Sequence, residues 1–242
     1  MVFLTGFTLA FTYTDDGNYG FAIFAGVSFL VWFLLERNSH NPLVPLGFLV
    51  RRNVLVAVVL SAGTGLLQAG FVFIPRVVVE VFEVAPYQAG FMLMPAILSA
   101  ALGSLLSGRM LDAYGPRVVV FAGMLLAGAG LLIFAYMKDH LVLFYVSGMI
   151  AGLGLSIRTS LNYIMLFESG QEERATGQGI LTIFISMGQI AGVAILGNLL
   201  QSLQSHLTGF AVLGFTALLM AGISLRLGSG RWTNPQQGKR IE

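Results

Sequence analysis

Long apolar runs separated by short polar breaks set the pattern of this chain. Residues 53–75 carry no charge over 23 positions, 84–108 none over 25 and 118–137 none over 20. Residues 141–167 make a run of 27 interrupted only by Arg158, 175–205 carry no charge with an apolar part at about 180–200, and 207–225 add 19 more. Upstream, 17–35 is another run of 19 that ends in Glu36-Arg37, and 1–13 is a shorter one before the polar Asp15, Asp16 and Asn18. A helix rising about 1.5 Å per residue needs roughly 18 or more apolar residues to cross a hydrocarbon core about 30 Å thick. Seven runs meet that length and one falls short.

The short first run is not a signal peptide, because it lacks a basic leading region and a small-residue cleavage site. It reads as a truncated or marginal span. No segment alternates apolar and polar residues with period two, which argues against barrel strands. An all-α membrane protein is the expected fold class. Composition agrees: hydrophobic residues make up 56% and charged residues 10% of 242 positions, against roughly 25% charged in a soluble domain. Mean hydropathy is +0.83. Glycine, at 30 residues, is enriched as in membrane helices. A disordered chain, a coiled coil and a nucleic-acid binder are excluded, and with no cysteine there is no disulfide or thiolate chemistry.

The basic residues give the orientation. Alternate loops hold Arg37, Arg51 and Arg52, then Arg109 and Arg117, then Arg174, then Arg226, Arg231, Lys239 and Arg240. The opposite loops hold Lys138, while Arg76 and Arg158 fall inside predicted spans. Positive residues concentrate on the cytoplasmic side, so the first set of loops and the C-terminus are expected there. The segment 36–53, with Pro42, Pro45 and Arg51-Arg52, is the longest connection before the tail. The expected organisation is a partial hairpin at 1–36, a cytoplasmic linker at 37–52, a six-helix bundle at 53–226 and a polar tail at 227–242.

The most specific motif is GRMLDAYGPRVVV at 108–120: Gly108, Arg109, Asp112 four positions after the glycine, then Gly115 and Arg117. Gly108 is expected to end a helix where another backbone comes close, and Gly115-Pro116 to force a sharp turn. Asp112 can accept a hydrogen bond or pair with a guanidinium. The pattern resembles the signature of the major facilitator superfamily, and that resemblance implies a cytoplasmic gate latch on these residues. The plainer alternative is a basic turn that only fixes topology.

The likeness extends to the fourteen-helix drug:proton antiporter branch, in which two six-helix bundles flank a central hairpin. "ERNSHNPLVPLGFLVRRN", "PYQAGFMLMPAILSAALGSLLSGRMLDAYGPR" and "GMIAGLGLSIRTSLNYIMLFESGQEERATGQGI" carry it over about residues 19–226. Two departures stand out. Ser156-Ile157-Arg158-Thr159 occupies the place of a usual proline, and Ala175 that of a usual glycine. Nothing here resembles the branch's first bundle, so the resemblance implies the C-terminal half of a transporter, inactive alone, whose partner is a missing N-terminal six-helix half.

Arg158 is the unusual residue inside a span. An arginine at the bilayer centre costs roughly 2.5–3.5 kcal/mol on insertion scales. It either lines a central cavity and attracts an anionic group, or snorkels to the interface. Asn162, one helical turn on, shares its face. Gln68 and Gln189 are the other candidate cavity residues. Ser99, Ser104 and Ser186 fit interhelical bonding as well as substrate contact. Arg76 with Glu80 reads as an interfacial i,i+4 pair. Gly148/Gly152 and Gly188/Gly192 read as close-packing faces, and Tyr87, Tyr114, Tyr136, Tyr145, Trp32 and Trp232 as interfacial aromatics.

Catalysis finds no constellation: His40, His140 and His206 are far apart and in loops, and no phosphate-cradling glycine loop is present. No cofactor or metal is called for. The expectation is a multi-pass plasma-membrane chain in the lipid bilayer, half of a secondary, proton-coupled exporter of drugs or other small organic molecules. A non-transporting membrane fragment is the rival, and a membrane-embedded enzyme a more distant one.

Overall fold

The computed structural model describes residues 51–137, 140–169, 174–202 and 206–228. The hairpin expected at 1–36, the linker up to residue 50, Lys138, Glu172-Glu173 and the tail from 229 lie outside the described residues, as do Trp32, Trp232 and His40. Eight helices occur among the described residues: α1 Arg52–Phe82, α2 Pro86–Met92, α3 Met94–Tyr114, α4 Pro116–Ala135, α5 Leu141–Leu155, α6 Ile157–Glu168, α7 Arg174–Ser202 and α8 His206–Ser224. There is no strand among them. Two pairs are single rods with a one-residue break, so the eight helices make six rods. Five stretches are long and apolar enough to cross a membrane: Arg52–Phe82, Pro86–Tyr114, Pro116–Ala135, Leu141–Glu168 and Arg174–Leu200. The sixth, Thr208–Ser224, is apolar but shorter. The chain is an all-α membrane bundle.

The breaks have local causes. Leu93 separates α2 from α3 in helical conformation, and Pro95, two residues later, lacks the N–H that a continuous ladder would need. Ser156 separates α5 from α6, again with helical dihedrals, its N–H turning back to Leu153 at 3.3 Å. The Ser156 hydroxyl meets the Ser107 hydroxyl of α3 at 2.9 Å. The fourth rod is thus interrupted at a serine held by a neighbouring helix.

The motif turn differs in one respect from the sequence expectation. Gly108 does not end a helix: α3 continues six residues further to Tyr114, and a Cβ at Gly108 would meet nothing within 4 Å. A single glycine costs a helix only about 1 kcal/mol, too little to stop one that has Met110, Leu111 and Ala113 still to come. The terminator is Gly115. Its φ of 80° and ψ of 166° lie in a region open essentially to glycine alone, and Pro116 opens α4 at its first position.

Rods meet through small residues. α1 packs on α7 and α8, α4 on α5 and α8, and α3 on α5, while α6 touches α1, α3, α4 and α7. Gly188 of α7 faces the Ala62 carbonyl of α1, and Gly192 faces Leu66 and Ala69. Gly152 of α5 faces the Ala96 carbonyl of α3, with Gly148 beside the Ala96 methyl. Both small-residue pairs expected from spacing are therefore close crossings. Van der Waals contact and hydrogen bonding hold helices together once lipid has replaced water, and backbone-to-backbone approach maximises the first. Two-thirds of α1's most apolar window is buried (67%), against 22% for the Pro86–Tyr114 rod, whose Leu98, Leu102 and Leu105 point outward.

Most hydroxyls inside the rods are satisfied by nearby carbonyls, Ser160 of α6 being buried without a partner among the described residues. Ser99 donates to Ala96 and also across to Met149 of α5 at 2.9 Å, so it is an interhelical bond. Ser104 and Ser186 donate to the carbonyls four residues back in their own helices, as do Ser61, Thr64 and Thr182. Arg76 Nε donates to Glu80 Oε1 at 2.8 Å, both side chains more than half exposed, an arrangement worth at most about 1 kcal/mol. Tyr87, Tyr114 and Tyr136 are exposed at rod ends and Tyr145 is half-buried.

Candidate functional site

Four groups of helix ends come together at one pole of the bundle. Asn53, at the start of α1, donates through Nδ2 to Glu168 Oε1 at the end of α6 (2.8 Å). The Asn53 carbonyl-type oxygen accepts the Gly228 N–H beyond α8 at 3.1 Å. Arg51 donates to the Glu168 main-chain oxygen at 2.7 Å, with its charge 4.0 Å from the carboxylate. One asparagine therefore clasps the first, fourth and last rods. The α3–α4 turn joins the same pole, since Asp112 lies within electrostatic reach of Tyr163 on α6. Arg51, Arg52, Arg109, Arg117, Arg174 and Arg226 all belong to these ends, whereas Glu80, Glu83 and His140 belong to the opposite ones.

This clasp was not foreseen from the sequence. Its partners are 115 and 175 residues apart. The cue was Glu168 itself, the lone acid closing the fourth apolar run. Asn53→Ala is expected to cost about 2 kcal/mol, the sum of two net hydrogen bonds of ~1 kcal/mol each. The accompanying sign is faster tryptic cleavage at Arg226 in detergent, because α8's end loses its tether. A variant with unchanged melting temperature and unchanged cleavage would remove the clasp from the account.

The motif residues are gathered by one turn. Gly108, Arg109 and Asp112 lie in the last two turns of α3, Gly115 makes the corner and Arg117 is the second residue of α4. Arg109 and Asp112 are exposed and Arg117 is half-buried. None of the three makes a hydrogen bond or ion pair among the described residues. Their charged groups remain available to something outside these helices.

The candidate cavity residues fall into two pairs. Arg158 and Asn162 stand one turn apart on α6, the first exposed and the second half-buried. Gln189 sits on α7 at its crossing with α1, where its backbone packs against Gly65, and Gln68 follows Gly65 by three residues on α1. Both glutamines are half-buried. Because α6 touches both α1 and α7, the two pairs belong to neighbouring rods. None of the four side chains has a hydrogen-bond or ion-pair partner among the described residues, and none of their polar atoms is sealed from the surface.

That contrasts with the rest of the exterior. The outward faces of α3, α4 and α8 present Ile97, Leu105, Leu125, Val212, Phe215 and Leu219. In hydrocarbon an unsatisfied amide or guanidinium costs several kcal/mol, so lipid fits those faces better than the surfaces carrying Arg158, Asn162 and Gln189. Gln178 and Thr182, exposed on α7, extend the polar face toward the basic pole and were also missed in the sequence.

Residues 71–240 match the Major Facilitator Superfamily profile. The chain belongs to this superfamily. Among its relatives, the drug efflux pump JefA of Mycobacterium tuberculosis is 30% identical over 200 residues, covering 78% of this chain and 38% of the pump. The multidrug resistance protein B homolog of the same organism is 26% identical, covering 77% of this chain and 35% of that protein. Multidrug resistance protein 3 of Bacillus subtilis is 25% identical over 214 residues, covering 86% and 41%. The chain thus spans well under half the length of these relatives. These relatives carry the names of a drug efflux pump and of multidrug resistance proteins, and none is named as an enzyme.

Proposed function

We propose that this superfamily member is one lobe of a proton-coupled exporter of drugs or small organic molecules in the plasma membrane. A second six-helix lobe, N-terminal in the full transporter, supplies the other wall. Residues 53–226 form the lobe, 1–36 part of a central hairpin, 37–52 a cytoplasmic linker and 227–242 a cytoplasmic tail. The observation that carries the reading is the set of polar side chains on the contacting rods α6, α7 and α1: Arg158, Asn162, Gln189 and Gln68 have no hydrogen-bond or ion-pair partner among the described residues. Such a set needs water or protein opposite it. Alternating access by two bundles rocking about a midplane site provides both. The relatives named as drug and multidrug efflux proteins support the substrate class.

In this reading Gly108, Arg109, Asp112, Gly115 and Arg117 latch the basic pole against the second lobe. Their charges are free in the isolated lobe because the groups they engage belong to that lobe. The test is reconstitution. The chain alone, and the chain with the N-terminal half of a fourteen-helix relative, are placed in vesicles with an imposed proton gradient, and movement of a fluorescent drug is followed. Transport is expected only with both halves, and to collapse with a protonophore. Asp112→Asn is expected to slow it roughly tenfold, the equivalent of one charge-assisted hydrogen bond of ~1.5 kcal/mol. Transport by the lone chain, or transport indifferent to the protonophore, would overturn the corresponding part of the proposal.

A further inference from the structure

Arg158 differs from every other charged side chain among the described residues. The others stand within about two turns of a rod end or, like Arg76, have a partner 2.8 Å away. Arg158 stands ten residues before the end of α6 at Glu168, roughly 15 Å along the axis. Its neighbours also place this stretch away from the rod ends. Ser156 bonds to Ser107, seven residues before the end of α3, and Ile157 lies over Gly123, seven residues into α4. Those offsets amount to about 10 Å from the basic pole, so the backbone at Arg158 stands well inside that end of the bundle.

The surroundings select for negative charge. No carboxylate lies within ion-pair distance among the described residues, and no acidic residue occurs in the described rods at this depth. A guanidinium keeps its proton under all physiological conditions and offers a planar fork of donors matched to carboxylate, sulfonate or phosphate oxygens. Asn162, one turn nearer the basic pole, adds an amide with both donor and acceptor. Exposed Leu166 follows Asn162 by one turn on α6, and exposed Ile183 lies on the contacting rod α7. Low-dielectric walls strengthen a charge pair relative to water.

We propose that Arg158 is the anion-recognition point of the lobe's polar face, and that the molecules it takes are organic anions with an apolar body. This deepens the exporter reading and rests on the same face being the cavity wall, but it adds a definite charge preference. An anionic lipid headgroup shares this chemistry; the proposal commits to a small diffusible anion.

The chain contains no cysteine, so a single Asn162→Cys substitution gives a clean reporter one turn from Arg158. The full-length variant is placed in phosphatidylcholine nanodiscs and labelled with anionic and cationic methanethiosulfonate reagents of similar size. The anionic reagent is expected to be favoured. Adding Arg158→Gln should cut the anionic-to-cationic rate ratio by about tenfold, the lower end of what local charge does to encounter rates, while Arg158→Lys restores much of it. Dansylglycine, a carboxylate, should protect the thiol, and neutral dansylamide should not. A ratio unchanged by Arg158→Gln, no labelling by either reagent, or equal protection by both dansyl probes would each overturn the proposal. Protection obtained only when phosphatidylglycerol is added would replace the small anion with lipid. None of these readouts needs transport, so a failure to transport with a second lobe would count against the exporter reading alone.

Discussion

Gly188→Leu is expected to prevent stable assembly of the bundle. A Cβ at position 188 would run into the carbonyl of Ala62, with the Ala62 Cα 3.0 Å away. These are backbone atoms, so no rotamer change can relieve the clash, and α1 and α7 must separate. The separation also lifts Gly192 from Leu66 and Ala69, and Gly65 from Ile185 and Gln189. Small-to-large changes in packed interiors cost typically 1–3 kcal/mol; with backbone on both sides, about 3 kcal/mol or more is the expected loss here. Gly179→Leu is the matched control. It lies in the same helix, is exposed, and has nothing within 4 Å of its Cβ. There the substitution removes a glycine from a helix interior and should be neutral or stabilising by up to about 1 kcal/mol. Thermal unfolding and size-exclusion profiles of the two variants in one detergent check the pair. Equal behaviour of the two would mean that the α1–α7 crossing is not the joint described.

The Gly188 case also shows which features of the fold the sequence carries. Four-residue spacing of Gly188 with Gly192 and of Gly148 with Gly152 marks a face, and both faces proved to be crossings. Gly65, Gly130 and Gly154 have no such partner at that spacing, yet each lies against a neighbour's backbone. Spacing along one helix says nothing of what lies opposite. Hydropathy located every rod but misjudged its ends and its continuity. α3 runs past Gly108 through Arg109 and Asp112 because charges end an apolar run without ending a helix. The breaks at Leu93 and Ser156 leave hydropathy unchanged, since they shift one residue's hydrogen bonding and no residue's polarity.

The candidate site divides along the same line. Arg158 and Asn162 were legible as a pair because i and i+4 share a helix face. That this face is open while most serine and threonine hydroxyls in the rods are satisfied by nearby carbonyls is a property of the packed bundle. Glu168 marks one end of the Asn53–Glu168–Gly228 clasp in the sequence, but its partners are not legible there, because the clasp joins three helix ends whose order in space depends on the topology of all six rods.

Gly115→Val is the second substitution with a large expected effect, and it separates the motif's turn from its charges. At φ 80° and ψ 166° a branched side chain is held in a conformation costing of order 1–3 kcal/mol. Pro116 leaves no easy escape, because its ring restricts the residue before it and fixes its own φ near −65°. The strain is relieved by opening the turn, which swings Arg109 and Asp112 on α3 away from Arg117 on α4. A stability loss of about 2 kcal/mol is therefore expected together with loss of the motif's arrangement. Gly108→Ala, in open space and inside a helix, should leave the isolated lobe as stable as before or slightly more so. Yet if a second lobe closes on this pole, the same methyl group stands where that lobe must approach. Melting temperatures of the lone chain and of the reconstituted pair separate the two effects. Gly115→Val should lower both, and Gly108→Ala should lower only the pair's. A Gly108→Ala change that left the pair untouched would place the second lobe's contact elsewhere on the turn, on the charges of Arg109, Asp112 and Arg117.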